Sequence, residues 1–316
     1  MTAVSVSVIV PARDAAKTLT ETLEALAAQD LDRPYEVIVV DDASVDGTAE
    51  LAASAPGPVT LLRHERPLGP GPARNTGAAR ARSGALAFTD ADCRPRPDWL
   101  RNGLEALENA ELVQGAVRPD PAVEPRPFDR SVWVGAEVGL YETANLFVRR
   151  DVFERLGGFE DWLGARIGKP LAEDLWLGWR ARRGGARIAF CETALVEHAV
   201  FRRGPISYVA ERARVTYFPD IAEKVPELRS ELFFGRLFLN RRTAAFDAAG
   251  VGTVTAAALS SPLPLAAAVP YVWIAARSAR RWGRRAPMVA AVEVAADAVG
   301  LVALAAGSAR RRTVVL

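Results

Sequence analysis

The first third of the chain alternates between short apolar runs and segments with helical periodicity. A β-branched run from Val4 to Val10 ends at Pro11, and leucines at helical spacing follow between Ala16 and Gln29. The same succession recurs around the runs VIVV and ALAF. Strands that alternate with helices are typical of a doubly wound, mostly parallel sheet, which binds ligands at the carboxyl ends of its strands. The sequence therefore predicts a Rossmann-like α/β fold.

Acidic residues directly follow two of these predicted strands. Asp90 and Asp92 stand in FTDADC, where a bend after the strand could bring both carboxylates toward one Mg²⁺ or Mn²⁺ ion on a diphosphate. Asp41 and Asp42, in VDDASVDGT, lie where a nucleotide base or ribose could meet a carboxylate. Acidic pairs are also common in solvated turns and helix caps. The position after buried strands favours the functional interpretation for both pairs.

Three further segments contain candidate functional residues. Arg74, in RNTGAAR at the start of a predicted helix, could approach a diphosphate, although it could equally be one more surface arginine. Asp174, in the AED triplet that begins another helix, is a candidate general base, whereas acids at helix starts often interact only with the helix dipole. His198 is a candidate third metal ligand, against the more common structural role of a lone histidine.

The C-terminal region has a different pattern. Apolar stretches at residues 251–276 and 286–307 approach the length that spans a membrane, but the first contains three prolines and the second contains Glu293 and Asp297 on one helical face. The connection RSARRWGRR is strongly basic, and with two spans it would lie opposite the cytoplasm, against the positive-inside tendency. We therefore expect interfacial or re-entrant helices whose arginines contact anionic lipid. A soluble helical pair remains the alternative.

Composition restricts the remaining possibilities. The 316 residues carry a net charge of only +2, which gives no reason to expect a nucleic-acid partner. The two cysteines lie far apart without metal-ligand spacing, which argues against a disulfide scaffold or a structural zinc site and favours a reducing compartment. The N-terminus does not have the pattern of a signal peptide. We expect a bacterial protein at the cytoplasmic face of the cell membrane.

Six motifs in order resemble the family 2 glycosyltransferases of GT-A fold. They are PARDAAKTL, VVDDASVDGT, RNTGAA, FTDADC, ANLFVRRDVFERLGGFED and AEDLWLGWRARRGG, and they span about Val4 to His198. The resemblance implies a nucleotide-sugar donor, with UDP favoured, and a single-displacement, inverting transfer. By the same resemblance the roles are donor binding by Pro11, Arg13 and Asp41, metal and diphosphate binding by Asp90 and Asp92, base catalysis by Asp174, and the acceptor side for Gly158, Phe159 and Glu173.

Two departures from the family pattern bear on these expectations. Arg13 and Asp14 stand where such proteins usually carry an aromatic residue and Asn, which affects the expected contacts with the base. The QxxRW-type motif of processive synthases was not found, which favours the addition of one sugar at a time. The sequence predicts a catalytic domain over residues 1–220 and a membrane-associated helical region over 221–316, acting on a lipid-linked or cell-envelope glycan acceptor. The alternatives are a soluble transferase of a small metabolite and an inactive nucleotide-binding partner subunit.

Overall fold

The structure is a computed structural model that describes residues 4–164 and 171–316. Its internal contacts divide the chain into two compact units. Unit 1 contains the described residues up to Glu124 together with Ser131–Phe201, and unit 2 contains Pro125–Arg130 and Arg202–Leu316. Residues 202–220, which the sequence analysis placed in the catalytic domain, thus group with the C-terminal helices.

Unit 1 is built on an eight-stranded mixed sheet with the order β3-β2-β1-β4-β7-β6-β8-β5. Four of the neighbouring pairs are parallel, and the pairs β4–β7, β6–β7 and β5–β8 are antiparallel. The mostly parallel sheet predicted from the alternating pattern is confirmed. The strands are β1 (Val6–Ala12), β2 (Tyr35–Asp41), β3 (Val59–Arg63), β4 (Ala85–Phe88), β5 (Cys93–Pro95), β6 (Leu112–Pro119), β7 (Leu146–Arg149) and β8 (Ile188–His198).

Helices cover the sheet of unit 1. The amphipathic helix α1 buries Leu19, Leu23 and Leu26, the leucines that gave the helical period in the sequence. The remaining helices connect the strands, and a short 3₁₀ turn, Thr143–Asn145, precedes β7. The helices of this unit are α1 (Leu19–Ala27), α2 (Thr48–Ala53), α3 (Pro70–Arg80), α4 (Trp99–Asn109), α5 (Arg150–Arg155) and α6 (Glu173–Arg183).

One edge of the sheet gathers the residues that follow the parallel strands. β1 pairs with β2 up to the register Ala12↔Asp41, and the amide of Thr89, just after β4, donates to the carbonyl of Ile9. The strands β1 and β2 are almost fully buried, because they lie in the middle of the sheet with helices against it. The segments that follow β1, β2 and β4 therefore begin at the same edge, as the sequence analysis predicted.

A buried asparagine ties together the part of the sheet where the strand direction reverses. Asn145 is fully buried and accepts a hydrogen bond from the Trp99 indole at 2.8 Å. Its amide group donates to the carbonyls of Ala116 and Ala194, on β6 and β8. A side chain at Gly115 would overlap this amide, since an added Cβ would lie 2.3 Å from Asn145 Nδ2. Asn145 thus satisfies backbone groups where β8 has a register irregularity against β6.

Unit 2 is helical. Its longest helix buries two acids, Glu293 and Asp297, and the guanidinium of Arg242 lies 3.0 Å and 2.7 Å from their carboxylates. Tyr271 donates a further hydrogen bond to Asp297 at 2.8 Å. The helices are α7 (Pro205–Glu211), α8 (Phe218–Lys224), α9 (Leu228–Glu231), α10 (Arg241–Leu259), α11 (Val269–Arg280) and α12 (Ala286–Arg311), and the 3₁₀ segments are Arg212–Tyr217, Leu263–Ala268 and Gly283–Arg285.

The two apolar stretches of unit 2 differ in their surroundings. Within the described residues, one helix, Gly283–Arg311, has the length and composition needed to cross a membrane, and a third of its apolar window is buried inside the protein. The other stretch folds into α10, a proline-containing 3₁₀ segment and α11, and exposes many large apolar side chains. They include Val251, Val254, Leu259, Leu263, Val269, Val272 and Trp273, each at least 60% exposed.

Candidate active site

The loop after β1 is held against the loop after β2. Asp14 has a left-handed backbone, with φ of 49°, and its amide donates to the hydroxyl of Ser44 at 2.9 Å. The Asp14 carboxylate in turn accepts from the amide of Val45 at 3.0 Å. Arg13 projects outward with about half of its side chain exposed, whereas Pro11 lies within β1 opposite Val40. The predicted donor-binding residues of β1 thus begin a loop whose shape is fixed by Asp14.

Asp41 is completely buried at the end of β2. Its carboxylate accepts from the amide of Ser44 at 3.2 Å and lies 3.0 Å from Arg63 Nε. Arg63 also donates to the Ser44 carbonyl, so that one arginine both neutralises Asp41 and braces the loop. The sequence analysis missed Arg63, since an arginine at a strand end has no local signal that marks a partner on the neighbouring strand.

Asp42 organises the protein around it. It accepts hydrogen bonds from His64 Nδ1 and from the amides of Leu68 and Gly69, at 2.7, 2.8 and 2.8 Å. Burial raises the pKa of this carboxyl, but these bonds outweigh burial and the net pKa is lowered. Asp42 therefore fixes the Gly/Pro-rich loop that leads into α3. His64, which also contacts Thr76, belongs to the same structural cluster.

Arg74 lies in the first half of α3 and is buried, although arginine is usually exposed. Its Nη2 donates to Asp90 at 2.7 Å, its Nη1 lies 3.6 Å from Glu173, and its guanidinium stacks 5.6 Å from the Phe159 ring centre. The structure therefore joins four predicted site residues, from four separate segments, around one buried cation. The interpretation of Arg74 as a surface arginine is wrong.

The turn at Gly158 and Phe159, predicted to border the acceptor, is fixed on two sides. The Asn75 side chain exchanges two hydrogen bonds with the backbone of Phe159, both 2.8 Å long. Arg180, on α6, donates to the carbonyls of Leu156 and Gly158. Gly158 has a φ of 70°, and an added Cβ would lie 2.6 Å from Asn75 Oδ1, so that glycine is required there.

Asp174 lies in the first turn of α6, next to Glu173 in sequence, and is partly buried. Burial is the main cause that raises the pKa of Asp174, to about 7, and the negative charge of Glu173 adds to it, while Arg74 opposes the rise. A carboxyl with a pKa near neutrality exchanges protons readily at physiological pH, as a general base must. The charge of Glu142 also raises the pKa of Asp174, and burial raises the pKa of Glu142 itself.

Asp92 and His198 lie together, because Asp92 directly precedes β5 and His198 is the last residue of β8, with which β5 pairs. His198 Nε2 is 3.5 Å from the Asp92 carboxylate, and Nδ1 lies 2.7 Å from the carbonyl oxygen of Ala199. That carbonyl can only accept, so the hydrogen-bond pattern assigns a proton to Nδ1, and in the neutral imidazole Nε2 then has the lone pair and faces Asp92. A carboxylate oxygen and an imidazole nitrogen that face each other in this way fit a divalent cation.

The third member of this cluster is Cys93. Ligand atoms of Asp92, Cys93 and His198 all lie within 4.8 Å of one another, and Asp90 does not belong to the group. Burial, followed by the charges of Asp90 and Asp92, raises the pKa of the Cys93 thiol well above its usual range. A protonated thiol is a poor ligand for the hard ions Mg²⁺ and Mn²⁺. The structure thus sets Asp92 and His198 apart from Asp90, which pairs with Arg74.

Comparisons with known proteins find similar sequences and similar folds. Residues 7–157 match the model of the family described as glycosyl transferase family 2. Glycosyltransferase AglE of Haloferax volcanii is 33% identical over 172 residues, which are 50% of this chain and 57% of AglE. The chain therefore matches little more than half of the length of that relative.

Two solved structures have a similar fold. Mannosyltransferase PcManGT from Pyrobaculum calidifontis, in complex with GDP-Man and Mn²⁺, is 23% identical with a TM-score of 0.63. The match covers 95% of this chain and 87% of the PcManGT chain. TarS 1-349 of S. aureus, in complex with UDP-GlcNAc, is 17% identical with a TM-score of 0.53. The match covers 98% of this chain and 92% of the TarS chain. Over residues 7–157 the chain thus matches glycosyl transferase family 2, and its fold is that of the GT-A glycosyltransferases.

Proposed function

We propose that this protein transfers a single sugar from a nucleotide-sugar donor to an acceptor hydroxyl, with inversion at the anomeric carbon. The observation that carries the proposal is the cluster around Arg74, in which Asp90, Glu173 and Phe159 meet beside a carboxyl, Asp174, whose pKa is raised to about 7. The fold is shared with structures that contain GDP-Man or UDP-GlcNAc, and we propose a UDP-sugar as the favoured donor.

Asp174 acts as the general base in this proposal. Its carboxylate takes the proton of the acceptor hydroxyl while the oxygen forms a bond to the anomeric carbon. The bond between that carbon and the nucleoside diphosphate breaks in the same displacement, and the diphosphate leaves with the electron pair. Base catalysis of this kind contributes about 10²- to 10⁴-fold to a rate. The raised pKa of Asp174 gives it a proton affinity suited to this role near neutral pH.

Asp92 and His198 would hold Mg²⁺ or Mn²⁺. When bound, the cation would offset the negative charge that develops on the leaving diphosphate. His198 is oriented for this by its Nδ1 contact with the Ala199 carbonyl. Asp90 has a different task, because its contact with Arg74 fixes a guanidinium that can meet phosphate oxygens.

Donor binding at the base and ribose is assigned to the loops after β1 and β2. Arg13 is exposed there, and the buried Asp41 holds the loop together with Arg63. Asp42 contributes by holding the Gly/Pro-rich loop before α3 through its two backbone hydrogen bonds. Gly158, Phe159 and Glu173 are proposed to form the acceptor side, since a turn held by Asn75 and Arg180 offers a fixed surface.

The acceptor is proposed to be lipid-linked or a cell-envelope glycan, at the cytoplasmic face of a membrane. The segment made of α10, the following 3₁₀ segment and α11 exposes seven large apolar side chains, each at least 60% exposed, which supports contact with an apolar phase. The exposed arginines at positions 280, 281, 284 and 285 follow directly on α11 and suit anionic head groups. The acids of α12 are bound inside the unit, so we assign the interfacial contact to α10 and α11 rather than to a span through α12.

A transfer assay tests this proposal. The purified chain is mixed with a panel of UDP- and GDP-sugars and Mg²⁺ or Mn²⁺, and release of nucleoside diphosphate is followed with membrane lipid extract or with small soluble acceptors. Release that requires the extract supports the proposal. Release with small acceptors alone would favour a soluble metabolite transferase. Donor binding without release under any condition would favour an inactive partner subunit.

A further inference from the structure

Unit 2 contains a basic pocket, and of its lining residues only Arg285 takes part in a role described above. It has a volume of about 360 Å³ and opens between the segment 125–130, the segment 202–205 and the start of α12. Four arginines and four apolar or aromatic side chains line it. The lining residues are Arg126, Pro127, Phe128, Asp129, Arg202, Arg203, Gly204, Pro205, Arg285 and Met288.

The arginines of this pocket are only partly neutralised. Arg202 pairs with Asp129 at 2.6 Å, and Arg203 pairs with Glu211. The guanidinium groups of Arg126 and Arg285 have neither an ion pair nor a hydrogen bond with the described part of the chain. Asp129 is the single acid in the lining, and together with Glu211 beside it two carboxylates face four arginines. Such an excess of positive charge at one concave site favours an anion with more than one negative charge.

One side of the pocket is pre-organised. Arg203 is mostly buried, with 18% of its side chain exposed, and its Nε donates to the carbonyl of Phe128 at 2.9 Å. Phe128 has a φ of 71°, and its ring packs 5.0 Å from that of Tyr208. Burial lowers the pKa of Arg203, and the charges of Arg130 and Arg212 lower it further. A bound anion would relieve this repulsion without a rearrangement of the backbone.

The other side of the pocket is apolar. Pro127, Phe128, Pro205 and Met288 line it. A free phosphate would leave this wall in contact with water, whereas an apolar chain attached to the phosphate would cover it. A phosphodiester head group has a single charge, while a terminal phosphate has about −1.5 to −2 at neutral pH. The charge and the wall together select the terminal phosphate of a lipid.

We propose that this pocket binds a terminal phosphate or diphosphate attached to an apolar chain. Arg126 and Arg285 supply the unpaired guanidinium groups, Arg203 a fixed one, and Met288 with Phe128 the surface for the first part of the chain. The role of such a lipid as the sugar acceptor rests on the proposed function. The binding itself does not.

Binding to the full-length protein tests the proposal, with farnesyl diphosphate as the probe, divalent cations absent and calorimetry as the readout. Loss of one charged hydrogen bond typically weakens binding by about tenfold or more. We therefore expect Arg285→Ala and Arg126→Ala each to weaken binding about tenfold. Arg284→Ala is the matched control, because it removes an exposed arginine of the same 3₁₀ turn that does not line the pocket.

Three results would overturn the proposal. Equal losses in Arg284→Ala and Arg285→Ala would mean that the general charge of the turn, not the pocket, binds the probe. Equal affinity for inorganic pyrophosphate and farnesyl diphosphate would mean that the apolar chain does not contribute to binding. Tighter, Arg285-dependent binding to phosphatidylglycerol vesicles would assign the pocket to bilayer phosphodiesters.

The test also separates this pocket from the donor site. Asp92→Ala should bind farnesyl diphosphate as wild type does, since the donor site lies in unit 1. If nucleotide sugars fail to bind while Arg285→Ala still weakens farnesyl diphosphate binding, the proposed function is contradicted and the pocket proposal is supported. If donors bind and transfer proceeds but the arginine variants bind farnesyl diphosphate as tightly as wild type does, only the pocket proposal is contradicted.

Discussion

Replacement of Asp174 by Asn should abolish turnover and yet make the protein more stable. The pKa of Asp174 is raised from 3.8 to about 7 in the folded state, so ionisation of this carboxyl opposes folding. The favourable contribution is complete below about pH 3.8 and is lost as the pH rises through about 7. At pH 8 wild type therefore bears the full cost of the charge, whereas Asn cannot ionise.

The size of the effect follows from the shift. About three pKa units correspond to about 4 kcal/mol, which is the upper limit because Asp174 is partly exposed and shares its environment with Glu173. We expect Asp174→Asn to raise the free energy of unfolding at pH 8 by about 1–3 kcal/mol, with the gain vanishing near pH 4. Turnover should fall about 10²- to 10⁴-fold, while the donor Kd stays within about twofold.

The assay is thermal or urea unfolding at pH 4, 6 and 8, together with steady-state transfer and donor calorimetry. Asp151→Asn is the matched control, because Asp151 also lies in the first turn of a helix but is exposed. It should change neither turnover nor the pH dependence of stability. Full activity in Asp174→Asn, or a loss of stability that grows from pH 4 to pH 8, would refute the assignment of a raised pKa and a base role.

Three other changes test separate parts of the structure. His198→Ala should weaken donor binding in Mn²⁺ at least tenfold and leave metal-free binding unchanged in calorimetry, and equal losses in both would contradict a ligand role. Arg242→Ala should cost about 3–5 kcal/mol in urea unfolding because it leaves buried acids unpaired, whereas exposed Arg277→Ala should cost little. Asn145→Ala should cost about 3 kcal/mol or more, against under about 1 for Asn102→Ala, and equal costs would contradict a structural role for Asn145.

The fold was largely predictable because the parallel strands have a strong local signal. β1 and β2 are mostly apolar, β4 is wholly apolar, and the leucines of α1 have a clear helical period. The strand β6, which pairs with both β7 and β8, was not identified in the sequence. Their pairing depends on Asn145, whose partners lie 29 to 49 residues away, so no local pattern contains it.

The sequence predicted which residues form the site but not which of them contact each other. Its acids could be found because they follow buried strands or begin a helix. Their contacts could not be predicted, because Asp90 pairs with Arg74, which α3 buries, while Asp92 lies next to Cys93 and His198. Arg63 and Asn75 were missed for the same reason, since each acts through a tertiary contact with a distant segment.

Calorimetric titration of wild type and Asp92→Ala with UDP- and GDP-sugars, with and without Mn²⁺, tests the central claim most directly. Asp92 lies 3.5 Å from His198 Nε2, and the proposed function has these two side chains hold the cation. We predict that wild type binds at least one nucleotide sugar, more tightly with Mn²⁺, and that Asp92→Ala loses the gain from the metal. No binding of any nucleotide sugar to folded wild-type protein, with or without metal, would contradict the assignment of this chain as a sugar transferase.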